Sequence, residues 1–139
     1  MPRLRLPLVL ALAILVLAAC GDKASDEKDV KETVKGVYNA LADKDADKVC
    51  DSISDQGKER ISSAAARGGK KQSCEQIFGL VLAFGGDSLK EARDVDVTHV
   101  KVDDDQANAT VKLKDRKSEV GLVKEHGDWK LSGLDVGGN

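Results

Sequence analysis

Aromatic residues are scarce, with one Trp, one Tyr and two Phe in 139 residues. The core must therefore be modest and mostly aliphatic. No apolar run is long enough to span a bilayer as a helix, which takes about 20 residues. The longest, Leu8 to Ala19 ("LVLALAILVLAA"), falls short. An excess of basic charge is also missing, the formal net charge being -2. Nucleic-acid binding needs a concentrated basic footprint, and only Arg67, Gly68, Gly69, Lys70 and Lys71 form a basic stretch, which reads as a solvated loop. Metal-ligand spacing is lacking: His99 and His126 stand apart, and Asp103 to Asp105 has neither the spacing nor the final Glu of a calcium loop. Gly68-Gly69 does not follow a strand, so no phosphate-binding loop is indicated. No cofactor or metal is implied, and no internal repeat or low-complexity tract occurs.

The N-terminus is more informative. Met1, Arg3 and Arg5 precede the apolar run, which has the length of a secretory signal. The run stops at "LAACGD", residues 17 to 22, where the chain turns abruptly polar. Leu17, Ala18, Ala19 and Cys20 resemble, position by position, the bacterial lipoprotein box: aliphatic, small or aliphatic, small, then cysteine. The resemblance implies that the Cys20 thiol receives a diacylglyceryl group and that residues 1–19 are removed as a signal peptide. A thiol is the only strong nucleophile at that edge, which accounts for the residue type. Two or more acyl chains, at roughly 0.8 kcal/mol per buried methylene, make a durable anchor. The expected product is anchored through Cys20 on the extracytoplasmic face of a cell membrane, with residues 20–29 as a flexible tether. Removing residues 1–19 leaves 120 of the 139 residues, one ordinary domain; the loss of Arg3 and Arg5 leaves 20 basic against 24 acidic residues, a net of about −4.

Cys50 and Cys74 remain in the exported chain. An even pair in an oxidising compartment is most simply a disulfide, with buried free thiols as the alternative. A catalytic thiol is disfavoured, since no histidine lies nearby in sequence.

Val30, Val34, Val37, Tyr38 and Leu41 recur at helical spacing, predicting an amphipathic helix over about 27–42. Asp45 is a plausible N-cap for a second helix carrying Val49, Cys50 and Ile53 on one side. A third is predicted over about 56–67. Ser73 and Gln76 have capping-box spacing ahead of a fourth, which Gly85 and Gly86 stop. Beyond Leu89 the period becomes two. Val95 and Val97 alternate with polar residues, but the phase slips before Val100, predicting a bulge near Thr98 and His99. Three further strands follow, with Ala107, Ala109, Val111, Leu113, Val120, Leu122, Trp129 and Leu131 pointing inward. Helices first and strands after predict an α+β domain over 30–135, its helices on one face of a four-stranded antiparallel meander.

"VKETVKGVYNALADKDADKVCDSIS", "SCEQI" and "ANATVKLKDRKSEVGLVKEHGDWKLSGL" resemble the nuclear-transport-factor-2-like superfamily. The closest likeness is to small lipoproteins of high-GC Gram-positive bacteria. It rests on helix order, on Tyr38 to Asp45 and on the terminal "GDWKL". The resemblance implies a bent sheet wrapped around helices as a cone with a pocket inside. Enzymes of this fold, such as ketosteroid isomerases, place acids and bases in that pocket. Here the inward positions carry no titrating group. Tyr38, Asp47 and His99 are the residues left to suspect, and Trp129, a further possible pocket residue, is expected to be the largest buried residue of the last strand, packing near Tyr38 or Phe78. The preferred reading is thus a non-enzymatic envelope module that binds a small apolar ligand or a protein partner. An enzyme using the cone pocket is the alternative. Related domains often dimerise through the outer sheet face, so a homodimer using Val123 is a further expectation.

Overall fold

A computed structural model describes residues 19–66 and 69–133. Residues 1–18 of the expected signal peptide 1–19, Arg67 and Gly68 of the basic stretch, and 134 and 135 of the expected domain lie outside the described residues.

Four helices come first: α1 (Ala19–Ala42), α2 (Ala46–Asp51), α3 (Asp55–Ala65) and α4 (Cys74–Phe84). A 3₁₀ helix, Gly86–Asp94, leads into four strands: β1 (Asp96–Asp103), β2 (Gln106–Leu113), β3 (Arg116–Glu125) and β4 (Asp128–Gly133). The strands pair antiparallel in the order β1-β2-β3-β4, the expected meander. Two-residue turns join them, with Asp104, Lys114 and His126 at positive φ in their first positions. This matches the right-handed twist of a tight hairpin.

Local chemistry sets the helix starts. Asp45 accepts a hydrogen bond from the Lys48 backbone N–H and caps α2. Ser54 caps α3 through Gly57, and Ser73 and Gln76 close a reciprocal capping box on α4. Such a cap is typically worth about 1 kcal/mol. Cys50 and Cys74 form a disulfide that ties α2 to the first residue of α4.

One face of the sheet meets the helices. Val30, Val34 and Val37 of α1 are fully buried with Val49 and Ile53 against Val111, Leu122 and Leu131. Of the expected inward set, Leu113 differs: it is half-exposed beside the β2–β3 turn. The bulge is where the phase slip puts it. Thr98 pairs with Thr110 and Lys101 with Asn108, so two residues, His99 and Val100, oppose Ala109. His99 absorbs the extra length at φ 50°, and Val100 and Val102 then pack against the core.

The tether expectation is corrected for residues 20–29. They belong to α1, which is 24 residues long. The stretch lacks apolar periodicity, and a tertiary clamp at Asp26 holds it against the sheet.

A short segment pairs with the free edge of β4 at Leu131. The Ser54 N–H donates to the Leu131 carbonyl and the Leu131 N–H to the Ser52 carbonyl, each at 2.8 Å. Ile53 thereby forms a parallel bridge with Leu131. Gly57 sits under this bridge, because a Cβ there would lie 2.7 Å from Ile53 Cγ2 and 3.2 Å from the Leu131 carbonyl oxygen.

Candidate functional site

The suspected residues do not converge. Tyr38 is half-buried on α1, on the helical side of the sheet. Burial pushes its hydroxyl above the ordinary tyrosine range, and the nearby Ser118 side chain works the other way. Asp47 is exposed in the first turn of α2, where a carboxylate complements the helix dipole. His99 is exposed on the bulge, its Nδ1 3.2 Å from Thr98 Oγ1. With Lys101, Asn108, Thr110 and Glu119 it rims a concavity of about 550 Å³. These side chains belong to the face that alternates with the buried one, so His99 and Tyr38 lie on opposite sides of the sheet.

Trp129 is buried at 4 % exposure, as its place in the inward register requires. Of its two expected neighbours, Tyr38 is distant. Ser118 and Lys124 are six residues apart on β3, about 20 Å at strand rise. Tyr38 lies near the first, and Trp129 pairs with the second. Tyr38 and Trp129 therefore sit at opposite ends of the sheet. The polar end of Trp129 instead meets Asp26: Nε1 donates to Oδ1 at 3.1 Å. Lys124 Nζ donates to the same oxygen at 2.8 Å and lies 5.5 Å from the indole centroid, a cation–π distance. These donors hold the Asp26 carboxyl below the usual aspartate range, the Lys124 hydrogen bond contributing most. Asp26 in turn raises the Lys124 ammonium above its ordinary value. Asp26 and Lys124 were not legible as a pair, being 98 residues apart; the only signal was an indole that would need an acceptor if buried.

A second concavity, about 320 Å³, opens beside this clamp, between α1, Ser52 and the β3–β4 turn. It is polar, with Asp29, Glu32, Asp128 and Lys130 on its wall. Lys130 Nζ is committed to the Asp51 carbonyl at 2.6 Å. Among the described residues no group of three or more His, Cys, Asp or Glu side chains is placed to hold a metal ion. The chemistry on offer at both concavities is hydrogen bonding and charge.

Neither a protein-family model nor a curated protein matches the chain. A solved structure described as an NTF2-like transpeptidase from Campylobacter jejuni is similar, at 16% identity and a TM-score of 0.34. The match covers 81% of this chain and 97% of that one. A likeness of that size carries no argument about activity.

Proposed function

We propose that the protein is a lipoprotein anchored through Cys20 on the extracytoplasmic face of a membrane, carrying a non-enzymatic interaction domain of the nuclear-transport-factor-2-like kind. One observation carries the reading: the apolar run ends on Leu17-Ala18-Ala19-Cys20 and turns polar at once. Two features support it. The Cys50–Cys74 bridge suits an oxidising compartment. No helix among the described residues is long and apolar enough to cross a membrane, which is compatible with a lipid anchor. The separation of Tyr38, Asp47 and His99 speaks against the enzyme alternative. Side chains of α1 and α2 fill the inward apolar face, which favours a macromolecular or surface partner over a small apolar ligand.

Replacing Cys20 by Ala tests the anchor. Mass spectrometry of the wild type should find an acylated N-terminal Cys20, and the protein should partition into detergent. Cys20→Ala should leave a chain that is either unprocessed or freely soluble. A Cys20→Ala protein retained in membranes at the mature size would overturn the assignment.

A further inference from the structure

The outward face of the sheet carries the larger of the two concavities, about 550 Å³. That size falls among small-ligand sites, which run from about 300 to 1,000 Å³. Five polar side chains line it: His99 and Lys101 of β1, Asn108 and Thr110 of β2, and Glu119 of β3. The register sets Lys101 beside Asn108 and Thr110 beside Glu119. The order across the face is therefore cation, amide and hydroxyl, carboxylate. Among the described residues, neither Lys101 nor Glu119 makes an ion pair. His99 reaches this face through the bulge, at φ 50°. The other described non-glycine residues at positive φ, Lys44, Asp104, Lys114 and His126, lie in turns. Glycine would hold the bulge without a Cβ penalty. Strained residues of this kind cluster at ligand sites, and bulges re-aim side chains beside them.

We propose that this concavity binds a short peptide with free termini, its carboxylate at His99 and Lys101 and its ammonium at Glu119. The order of charges decides the class. A complementary ligand presents an anion, a hydrogen-bonding middle and a cation, in that sequence. Asn108 supplies the middle with both a donor and an acceptor, as a peptide group requires. A neutral hydroxyl-rich molecule would leave the ammonium and the carboxylate without counterparts. Length agrees as well. Lys101 and Glu119 are two strands and two residues apart, about 12 Å between Cα atoms at ordinary sheet spacing. Their side chains extend over that gap, and two or three extended residues span about 7–10 Å. The site lies on the sheet face opposite the helices and does not depend on the anchor at Cys20.

Calorimetric titration of trialanine into the full-length protein, purified in detergent, provides the test. Saturable binding is expected in the wild type. Glu119→Gln should weaken it about tenfold and leave affinity for N-acetyl-trialanine unchanged, because that ligand has no ammonium. Lys101→Gln should likewise weaken trialanine and leave trialanine amide unchanged. His99→Gly keeps the bulge and loses the imidazole, so binding should weaken while Tm holds or rises. All three positions are exposed, so an unaltered Tm certifies each variant as folded. No saturable heat up to about 10 mM trialanine would overturn the site. Equal affinity for the free and the doubly capped tripeptide would overturn the charge assignment. A neutral trisaccharide that binds more tightly than trialanine would overturn the peptide in favour of a polyol. An unacylated Cys20 would overturn the anchor and leave this site standing.

Discussion

Asp26 Oδ1 accepts hydrogen bonds from Trp129 Nε1 at 3.1 Å and from Lys124 Nζ at 2.8 Å. It joins the first third of α1 to the last hairpin across 103 residues of sequence. A carboxyl held below its ordinary value takes up its proton at lower pH when folded. Its stabilisation is therefore present above about pH 4 and is lost as pH falls through the folded value. Asp26→Asn should lower the urea midpoint at pH 7, and its difference from wild type should shrink on acidification to about pH 2.5. A difference that is independent of pH would contradict the clamp.

Trp129→Ala removes the largest buried side chain of β4. It should cost about 3–5 kcal/mol by urea denaturation, as core truncations of large aromatics do. Trp129→Phe keeps most of the volume and loses the indole N–H, so about 1 kcal/mol is expected.

The bridge between Cys50 and Cys74 closes a loop with a sequence separation of 24. Restricting the unfolded chain to that extent is worth about 3 kcal/mol on the loop-entropy account. The double variant Cys50→Ala, Cys74→Ala should lose about 2–4 kcal/mol. Alkylation of the unreduced protein should find neither of these thiols free.

Gly57→Ala sets two effects against each other. Alanine gains up to about 1 kcal/mol in helix propensity. The added Cβ meets buried Ile53 and the Leu131 carbonyl, neither of which can move freely, and overpacking typically costs about 1–3 kcal/mol. Net destabilisation is expected, with a lowered Tm. A raised Tm would show that the bridge yields.

His99 has φ 50° in mid-strand. His99→Gly should be neutral or slightly stabilising, since glycine adopts that conformation without a Cβ penalty. His99→Val should cost about 1–2 kcal/mol, because a β-branched side chain is strained at positive φ. Equal thermal stability of the two variants would mean that the bulge tolerates any residue.

Much of this architecture is legible in the residues. The Ser73–Gln76 spacing announces α4, and the slip from Val97 to Val100 locates the bulge, because local hydrogen bonding and burial period dictate both. The start of α1 is not legible. Residues 19–29 contain no apolar stripe, and their order depends on an indole and an ammonium far along the chain. The Gly86–Asp94 helix was likewise missed: it is a 3₁₀ helix, with no 3.6-residue period to read. The suspected site failed for a similar reason. Tyr38 and His99 look alike as polar residues in apolar segments, but the bulge turns one of them to the opposite side of the sheet.

The Ser52–Ser54 segment on β4 and the bulge in β1 bear on what the two borders of the sheet offer to another chain. An unprotected outer strand offers its N–H and C=O groups as a template for another chain. At one border of this sheet the outward N–H and C=O of Leu131 are taken up by Ser52 and Ser54; at the other, the bulge at His99 interrupts the row. Were molecules held in one plane by the lipid proposed on Cys20, their borders would meet at similar heights, where intermolecular strand addition is easiest. Each border is thus interrupted at one point, at Leu131 and at His99, which shortens the run of strand that another chain could extend.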